Sequence, residues 1–185
     1  MAANQVDKGK ATTQEPLPLG KKKITLKAED GHLFEIERSV AMDCLGIVKT
    51  FFEENEHDDD NVNVIVPLPN VSSAALTQII KYCKKHVGFR EDEADEPKKA
   101  EMKAFDGDFI NHQSVDMLKE ILLAANYLNV KSLLELAEDN VAERIKNKSV
   151  EYVREFFGIE NDFTEEEENR LREENSWAFE GVDAD

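Results

Sequence analysis

The feature that most constrains the fold of this chain is a change in the spacing of its apolar residues near position 38. Before that position, residues 24–28 and 34–36 alternate apolar with polar side chains, and the turn signal Asp30-Gly31 lies between them. Alternation around a tight turn predicts a hairpin of two strands. Beyond position 38, most apolar residues recur at helical spacing. Short strands followed by clustered helices predict an α+β fold and not a doubly wound parallel sheet.

The rest of the chain adds one strand and a series of helices. A third alternating segment, Val62 to Val66, stops at Pro67 and predicts a strand. Three helical segments each follow a serine that is suited to capping a first turn, namely Ser39, Ser72 and Ser114. Further apolar stripes predict helices over three segments, 130–145, about 149–157 and about 164–174. The predicted order is therefore ββα, βα, an insertion, αα and two more helices.

Two stretches have too few apolar residues for a folded segment. Residues 1–20 mix Ala, Thr, Gln, Lys and Pro without periodicity, and residues 88–107 are rich in Glu, Asp and Lys. A segment that buries little apolar surface cannot offset the conformational entropy that is lost on ordering. We therefore predict a disordered N-terminal extension over 1–20 and a flexible acidic insertion near 88–107.

The charge and the cysteines of the chain exclude several classes of protein. Its 40 acidic and 23 basic residues give a formal net charge of -17, which repels nucleic-acid phosphates. No segment approaches the length of a membrane span. Cys44 and Cys83 both fall on apolar helical stripes, which favours buried reduced thiols over a disulfide framework. These observations predict a protein of the cytoplasm and nucleus that binds neither nucleic acid nor membranes.

The sequence lacks recognisable catalytic and metal-binding motifs. Cys83 and His86 are spaced so that they could supply two zinc ligands, but a structural zinc site needs four ligands and the chain offers no second pair at a useful spacing. The chain has no Gly-rich phosphate loop and no nucleophile elbow. Carboxylates are so frequent that none stands out as a general acid or base. We therefore expect no catalytic residue, no metal and no cofactor.

The C-terminal segment combines an acidic helix with large aromatic residues. Thr164 followed by Glu167 is a capping-box pattern, so a helix should begin there. Within that helix Leu171 is almost the only apolar residue, whereas Phe163 and Trp177 bracket it. So thin a stripe cannot bury a wide face, and Trp and Phe often anchor interfaces. The pattern predicts a surface that another protein completes; the alternative is a terminal helix folded back on its own domain.

Four short strings along the chain carry a family resemblance. The strings are Val66-Pro67-Leu68-Pro69-Asn70-Val71, Ala124-Ala125-Asn126-Tyr127-Leu128, Asn161-Asp162-Phe163-Thr164 and Glu173-Glu174-Asn175-Ser176-Trp177. In this order they resemble the S-phase kinase-associated protein family, the Skp adaptors, over about residues 21–180. The resemblance implies a BTB/POZ-like core followed by two additional helices. It also implies an adaptor that joins an F-box protein to the cullin of an SCF ubiquitin ligase, with the RING protein reached through the cullin.

The resemblance further implies domain bounds and partner surfaces. The BTB/POZ-like core would span 21–146, a helical F-box-binding region 147–180 and a tail 181–185. Asn126 and Tyr127 are expected to face the cullin, because they end a helix whose inward stripe is already complete; the alternative is that Tyr127 is a core residue and Asn126 caps the helix. The residues expected to bind the F-box are Phe156, Phe157, Ile159, Phe163, Leu171, Trp177 and Phe179.

Two departures from the family pattern leave other interpretations open. Asn147 and Val150 stand where the family often has Gly and Pro. Asn tolerates the left-handed conformation, while the loss of Pro removes some preorganisation of a helix start. The alternatives are an elongin-C-like adaptor, which lacks the last two helices, and a homodimeric BTB scaffold protein. An acidic enzyme would need a cleft with perturbed titratable groups, which the sequence does not indicate.

Overall fold

The computed structural model describes residues 22–54, 64–90 and 96–182. Its strands are β1 (Lys23–Lys27), β2 (Leu33–Glu37) and β3 (Ile65–Pro67). Its helices are α1 (Arg38–Cys44), α2 (Gly46–Glu54), α3 (Ser73–Arg90), α4 (Glu96–Asn111), α5 (Val115–Leu128), α6 (Lys131–Ile145), α7 (Val150–Phe157) and α8 (Glu165–Glu174), and a 3₁₀ turn (Ser176–Phe179) follows. This order confirms the predicted α+β class. The extension over 1–20 and residue Val62 lie outside the described residues.

The three strands form one mixed sheet in the order β2-β1-β3. β1 runs antiparallel to β2, with Ile24 opposite Ile36, and parallel to β3, with Leu26 opposite Val66. Because side chains alternate between the faces of a sheet, these four residues share one face, and all four are buried. Gly31, with φ 86°, closes the turn between β1 and β2 as the Asp30-Gly31 signal predicts.

The buried face of the sheet and the inner faces of the helices share one hydrophobic core. Two of the predicted serine caps set the helices in place: Ser72 Oγ accepts from the Ala75 N–H at 3.1 Å and Ser114 Oγ from the Met117 N–H at 3.2 Å. The core centre is lined by fully buried residues of these elements, including Leu26, Leu76, Ile79, Leu118, Ile121 and Leu133. A scaffold of this kind fixes the outward faces of α5 and α7.

The helix predicted after Ser39 is in fact two helices, α1 and α2. α1 begins at Arg38, and its N-cap is Glu37, whose side chain makes no capping hydrogen bond within the described residues. The break falls at Leu45, which is extended (φ -101°, ψ 98°) and fully buried. At the next residue, Gly46, an added Cβ would stand only 2.9 Å from the Asn129 Cβ. Burial of Leu45 and the close approach of Gly46 to the Asn129 side chain override the helical spacing.

The structure corrects the prediction of a flexible insertion for residues 88–90 and 96–107, while residues 91–95 of that stretch lie outside the described residues. α3 continues to Arg90, and α4 occupies residues from Glu96 onward. The rings of Tyr82 and Phe109 lie 5.5 Å apart, and His86 Nε2 lies 2.7 Å from Asp106 Oδ1. Phe105 is half-buried, and the buried residues Phe109 and Ile110 follow this stretch, so α4 packs on the core through its C-terminal half, beside the aromatic side chains of α3. Sequence composition alone does not reveal that partner.

Replacing Phe109 with alanine is expected to lower the free energy of unfolding by about 3–5 kcal/mol, the usual cost of removing a buried aromatic ring. Phe109 is buried, so its loss would leave a cavity between α3 and α4. Urea denaturation followed by circular dichroism measures the change. Phe157→Ala is the matched control, because Phe157 is exposed. Equal, small effects of the two substitutions would show that α4 is not docked on the core.

The cysteines and the helix lengths bear on the remaining expectations. Cys44 and Cys83 are both in the thiol form, and only Cys83 is fully buried, whereas Cys44 is half-buried. Cys44 Sγ lies 3.8 Å from the Cys83 carbonyl oxygen. Among residues 22–54, 64–90 and 96–182, none of the helices has the length and apolar content needed to cross a membrane.

Candidate interaction surfaces

α7 begins and ends with local signals that the sequence contains. Ser149 Oγ accepts from the Tyr152 N–H at 3.0 Å and so caps the first turn. Asn147 has φ 58°, the left-handed conformation that Asn tolerates, and Gly158 ends the helix with φ 69°. The departures at Asn147 and Val150 are thus compatible with a regular helix start.

The structure corrects one predicted partner residue, Phe156. Its side chain is only 4% exposed and belongs to the hydrophobic core, with its ring 6.3 Å from that of Tyr152. Tyr152 and Phe156 are four residues apart, so they share the inner face of α7. Phe157 points outward and is exposed. Phe156 therefore fastens α7 to the core and does not lie on its surface.

α8 has the predicted capping box. Thr164 Oγ1 accepts from the Glu167 N–H at 3.3 Å, and Glu167 Oε2 accepts from the Thr164 N–H at 3.0 Å. The first turn carries four glutamates, which suit the positive end of the helix dipole. None of the ten residues of α8, all of which the structure describes, is buried. Apolar packing of its own therefore contributes little to the position of this helix.

Large apolar side chains surround α8 and remain accessible. Trp177, in the 3₁₀ turn, is 72% exposed. Leu171 and Phe179 are half-buried. We define the C-terminal surface as the exposed members of this group together with those two residues: Phe157, Ile159, Phe163, Trp177, Leu171 and Phe179. Val150, also exposed, was not anticipated from the sequence.

An ionic cluster, which we call the Glu168 network, joins α7, the following loop and α8. Glu168 Oε1 accepts from Arg154 Nη1 and from Arg172 Nη2, both at 3.2 Å. Glu168 Oε2 accepts from Asn161 Nδ2 at 3.0 Å. Arg172 also pairs with Glu151 on α7. The network therefore connects α8 to α7 through charged side chains.

Two of the four glutamates at the start of α8, Glu167 and Glu168, have depressed pKa values for identifiable reasons. The amide of Asn161, then the guanidinium groups of Arg154 and Arg172, lower the pKa of Glu168 from its ordinary value. The backbone N–H of Thr164 and then its hydroxyl lower the pKa of Glu167. A carboxyl whose folded pKa is depressed stabilises the folded state above the unfolded pKa and loses that contribution as the pH falls through the folded pKa.

Acid is therefore expected to loosen α8 and the 3₁₀ turn before it unfolds the core. The transition should fall below the ordinary glutamate pKa of 4.5, as Glu168 takes up a proton and releases Arg154 and Arg172. Trp177 is the single tryptophan of the chain, so acrylamide quenching of its fluorescence reports on this region alone. Quenching should rise in acid for the native protein. It should change less in Glu168→Gln, which lacks the Glu168 carboxyl but retains the pair between Glu151 and Arg172. Identical acid profiles would contradict the assignment.

A second surface lies on α5, where the structure places the residues predicted for the cullin. Asn126 is exposed, whereas Tyr127 is half-buried and packs against the core. The helix is capped by Asn129, in the left-handed conformation at φ 54°, and not by Asn126. Leu123 is 66% exposed and lies three and four residues before the predicted pair, on the same face. We call Leu123, Asn126 and Tyr127 the α5 patch.

Sequence reasoning missed Leu123 because it stands beside the inward stripe of α5 in an unbroken apolar run, Ile121-Leu122-Leu123. The signal was its spacing to Asn126 and Tyr127. Tyr127 fits neither the interpretation as a surface residue nor that as a core residue completely, because it is half-buried. Tyr127 packs against the core, whereas Asn126 is exposed.

A sheet covered by helices, extended by two terminal helices with accessible aromatic residues, defines a BTB/POZ-like protein-interaction module. Two family models agree with this class. The description "Skp1 family, tetramerisation domain" matches residues 22–88, and "Skp1 family, dimerisation domain" matches residues 131–178. The chain belongs to the Skp1 family, as its four sequence strings indicate.

Individual relatives are similar over nearly their whole length. SKP1-like protein 1A of Arabidopsis thaliana is 44% identical over 164 residues, which cover 86% of this chain and 98% of that protein. SKP1-like protein 14 of Arabidopsis thaliana is 45% identical over 158 residues, 85% of this chain and 97% of the relative. SKP1-like protein 1 of Oryza sativa subsp. japonica is 41% identical over 174 residues, which cover 86% of this chain and 96% of that protein. The family comprises non-catalytic adaptors of SCF ubiquitin ligases, so membership confirms the prediction of a non-enzymatic role.

Proposed function

We propose that this protein bridges an F-box substrate receptor and a cullin scaffold in an SCF-type ubiquitin ligase, with the RING protein attached through the cullin. The observation that carries the proposal is the C-terminal surface. A tryptophan that is 72% exposed lies beside an acidic helix without buried residues, in a chain that has a complete core elsewhere. Exposed apolar clusters of this kind mark protein partners.

The F-box side of the bridge is assigned to the C-terminal surface without Phe156. Phe157, Ile159, Phe163 and Trp177 offer aromatic and aliphatic anchors, and aromatic anchors dominate binding energy at interfaces. Acidic side chains at the rim, such as Glu173 and Glu174, are exposed and suit a polar border. A partner helix or loop with apolar side chains and basic flanks fits this chemistry.

The cullin side is assigned to the α5 patch. Leu123 supplies apolar area, Asn126 supplies hydrogen-bonding groups, and Tyr127 combines both properties. The patch and the C-terminal surface belong to separate elements of the chain, so the two partners have different contact residues. The proposed location is the cytoplasm and nucleus, which agrees with two cysteines in the thiol form.

Reconstitution tests the bridge directly. The purified chain is mixed with an F-box protein and a cullin, and the products are separated by size-exclusion chromatography with light scattering. We expect one complex with a single copy of each protein, which does not form when this chain is omitted. Self-association of the chain without either partner would instead favour the homodimeric BTB scaffold.

A further inference from the structure

We propose that Glu168 is a positioning residue of the C-terminal surface. Its carboxylate holds α7, the following loop and α8 in one arrangement and so presents the aromatic anchors in a form that is ready to bind. The inference rests on the proposed function, because it takes the C-terminal surface to be the F-box site. Glu168 itself need not touch the partner for this role.

The need for such a residue follows from the composition of α8. None of its ten described residues is buried, and Leu171 is only half-buried. In most helices the position comes from burial of an apolar face, not from helical propensity. In α8 that contribution is small. A polar connection must therefore supply a large share of the energy that fixes its orientation.

Glu168 makes that connection in three directions. Arg154 reaches it from α7, Asn161 from the loop and Arg172 from the next turn of α8, at 3.2, 3.0 and 3.2 Å. The side chains of Arg154 and Glu168 are only 18% and 23% exposed, whereas those of the surface pair Lys99–Glu96 are 52% and 82% exposed. Partly buried pairs are screened less by water and salt, so this one outweighs an ordinary surface pair.

The same arginines orient the aromatic residues. The Arg154 guanidinium lies 5.9 Å from the Phe163 ring centre, and that of Arg172 lies 5.1 Å from the Phe179 ring centre. Phe179 shares its short 3₁₀ turn with Trp177. When the Glu168 carboxylate is removed, both guanidinium groups lose the acceptor that they share. The rings of Phe163 and Phe179 then lose a neighbour that is held in a fixed position. The lowered pKa of Glu168 agrees with its three donors.

The test compares Glu168→Gln with Glu166→Gln. Both substitutions remove one negative charge from the first turn of α8, but Glu166 is exposed and stands outside the network. Affinity for a purified F-box protein is measured by surface plasmon resonance. We expect Glu168→Gln to weaken binding about tenfold, mainly through slower association, since a smaller fraction of molecules holds the binding arrangement. Glu166→Gln should change affinity less than about twofold.

Trp177 fluorescence supplies a readout that does not depend on the partner. Glu168→Gln should lower its anisotropy and raise acrylamide quenching, while far-UV circular dichroism and the urea midpoint of the core stay unchanged. Arg154→Gln is a second variant. The double variant, Arg154→Gln with Glu168→Gln, should show an effect smaller than the sum of the two single effects, because both substitutions disrupt the same contact.

The outcomes separate the positioning role from the function it serves. Absence of F-box binding by the native chain would overturn the proposed function, and the Trp177 readout would still decide whether Glu168 orders this region. Native binding with equal affinities for the two Gln variants would overturn the positioning role alone. Additive effects of Arg154→Gln and Glu168→Gln, or unchanged Trp177 anisotropy, would also overturn it.

Discussion

Replacing Leu123 and Asn126 together with lysine is expected to abolish cullin binding, with affinity reduced more than about 100-fold. Both side chains are accessible on one face of α5, so the double substitution would place two uncompensated charges in the proposed interface. Folding should be preserved because neither residue belongs to the core. Isothermal titration with the cullin measures the loss, and circular dichroism verifies the fold.

F-box affinity of the same double variant should stay within about twofold of the native value, because exposed substitutions away from a contact are usually neutral. Tyr127→Lys is a less clean test, since Tyr127 packs against the core and its loss would also lower stability. Intact cullin binding by the Leu123 and Asn126 double variant would remove the α5 patch from the interface. Parallel loss of both partners would instead indicate a folding defect.

Trp177→Ala is expected to weaken F-box binding by about 30-fold, which corresponds to about 2 kcal/mol, the usual threshold for an interface hot spot. Because Trp177 is 72% exposed in the isolated chain, the free energy of unfolding should change by less than about 0.5 kcal/mol. A large effect on binding with a negligible effect on stability would identify Trp177 as a residue that contributes to partner binding and not to folding.

Phe156→Ala is the informative counterpart, because this neighbouring aromatic residue is buried. It should lower stability by about 3–5 kcal/mol, as expected for loss of a packed ring. If Trp177→Ala destabilised the isolated protein in the same way, α8 would be folded back on its own domain, the alternative that the sequence left open. Unchanged F-box affinity of the Trp177→Ala variant would place the interface elsewhere.

Local chemistry made much of the fold predictable. The hairpin follows from alternation around Gly31, and the starts of α5 and α8 follow from Ser114 and from the pairing of Thr164 with Glu167. Each of these signals acts over a few residues, so it can be read without knowledge of the tertiary structure. The Skp resemblance then supplied the arrangement of the elements and the family.

Features that depend on distant partners were not predictable in the same way. Tyr82 on α3 packs against Phe109 of α4, a helix whose first part composition suggested was flexible. Phe156 and Phe157 are adjacent aromatic residues with opposite environments, and only the position of α7 on the core distinguishes them. In both cases the deciding contact is tertiary. The division of the chain into a core and an F-box region stays a prediction.

The close approach of Gly46 to Asn129 ties the start of α2 to the end of the helix that carries the α5 patch. A side chain at position 46 would push on the Cβ of Asn129, the left-handed residue that ends α5, and so displace the end of that helix. Asn126 and Tyr127 lie within one turn. A variant at Gly46 could therefore resemble a recognition mutant although it touches no partner. Its defect would come from displacement of the end of α5, and a second substitution at Asn129 is expected to suppress it.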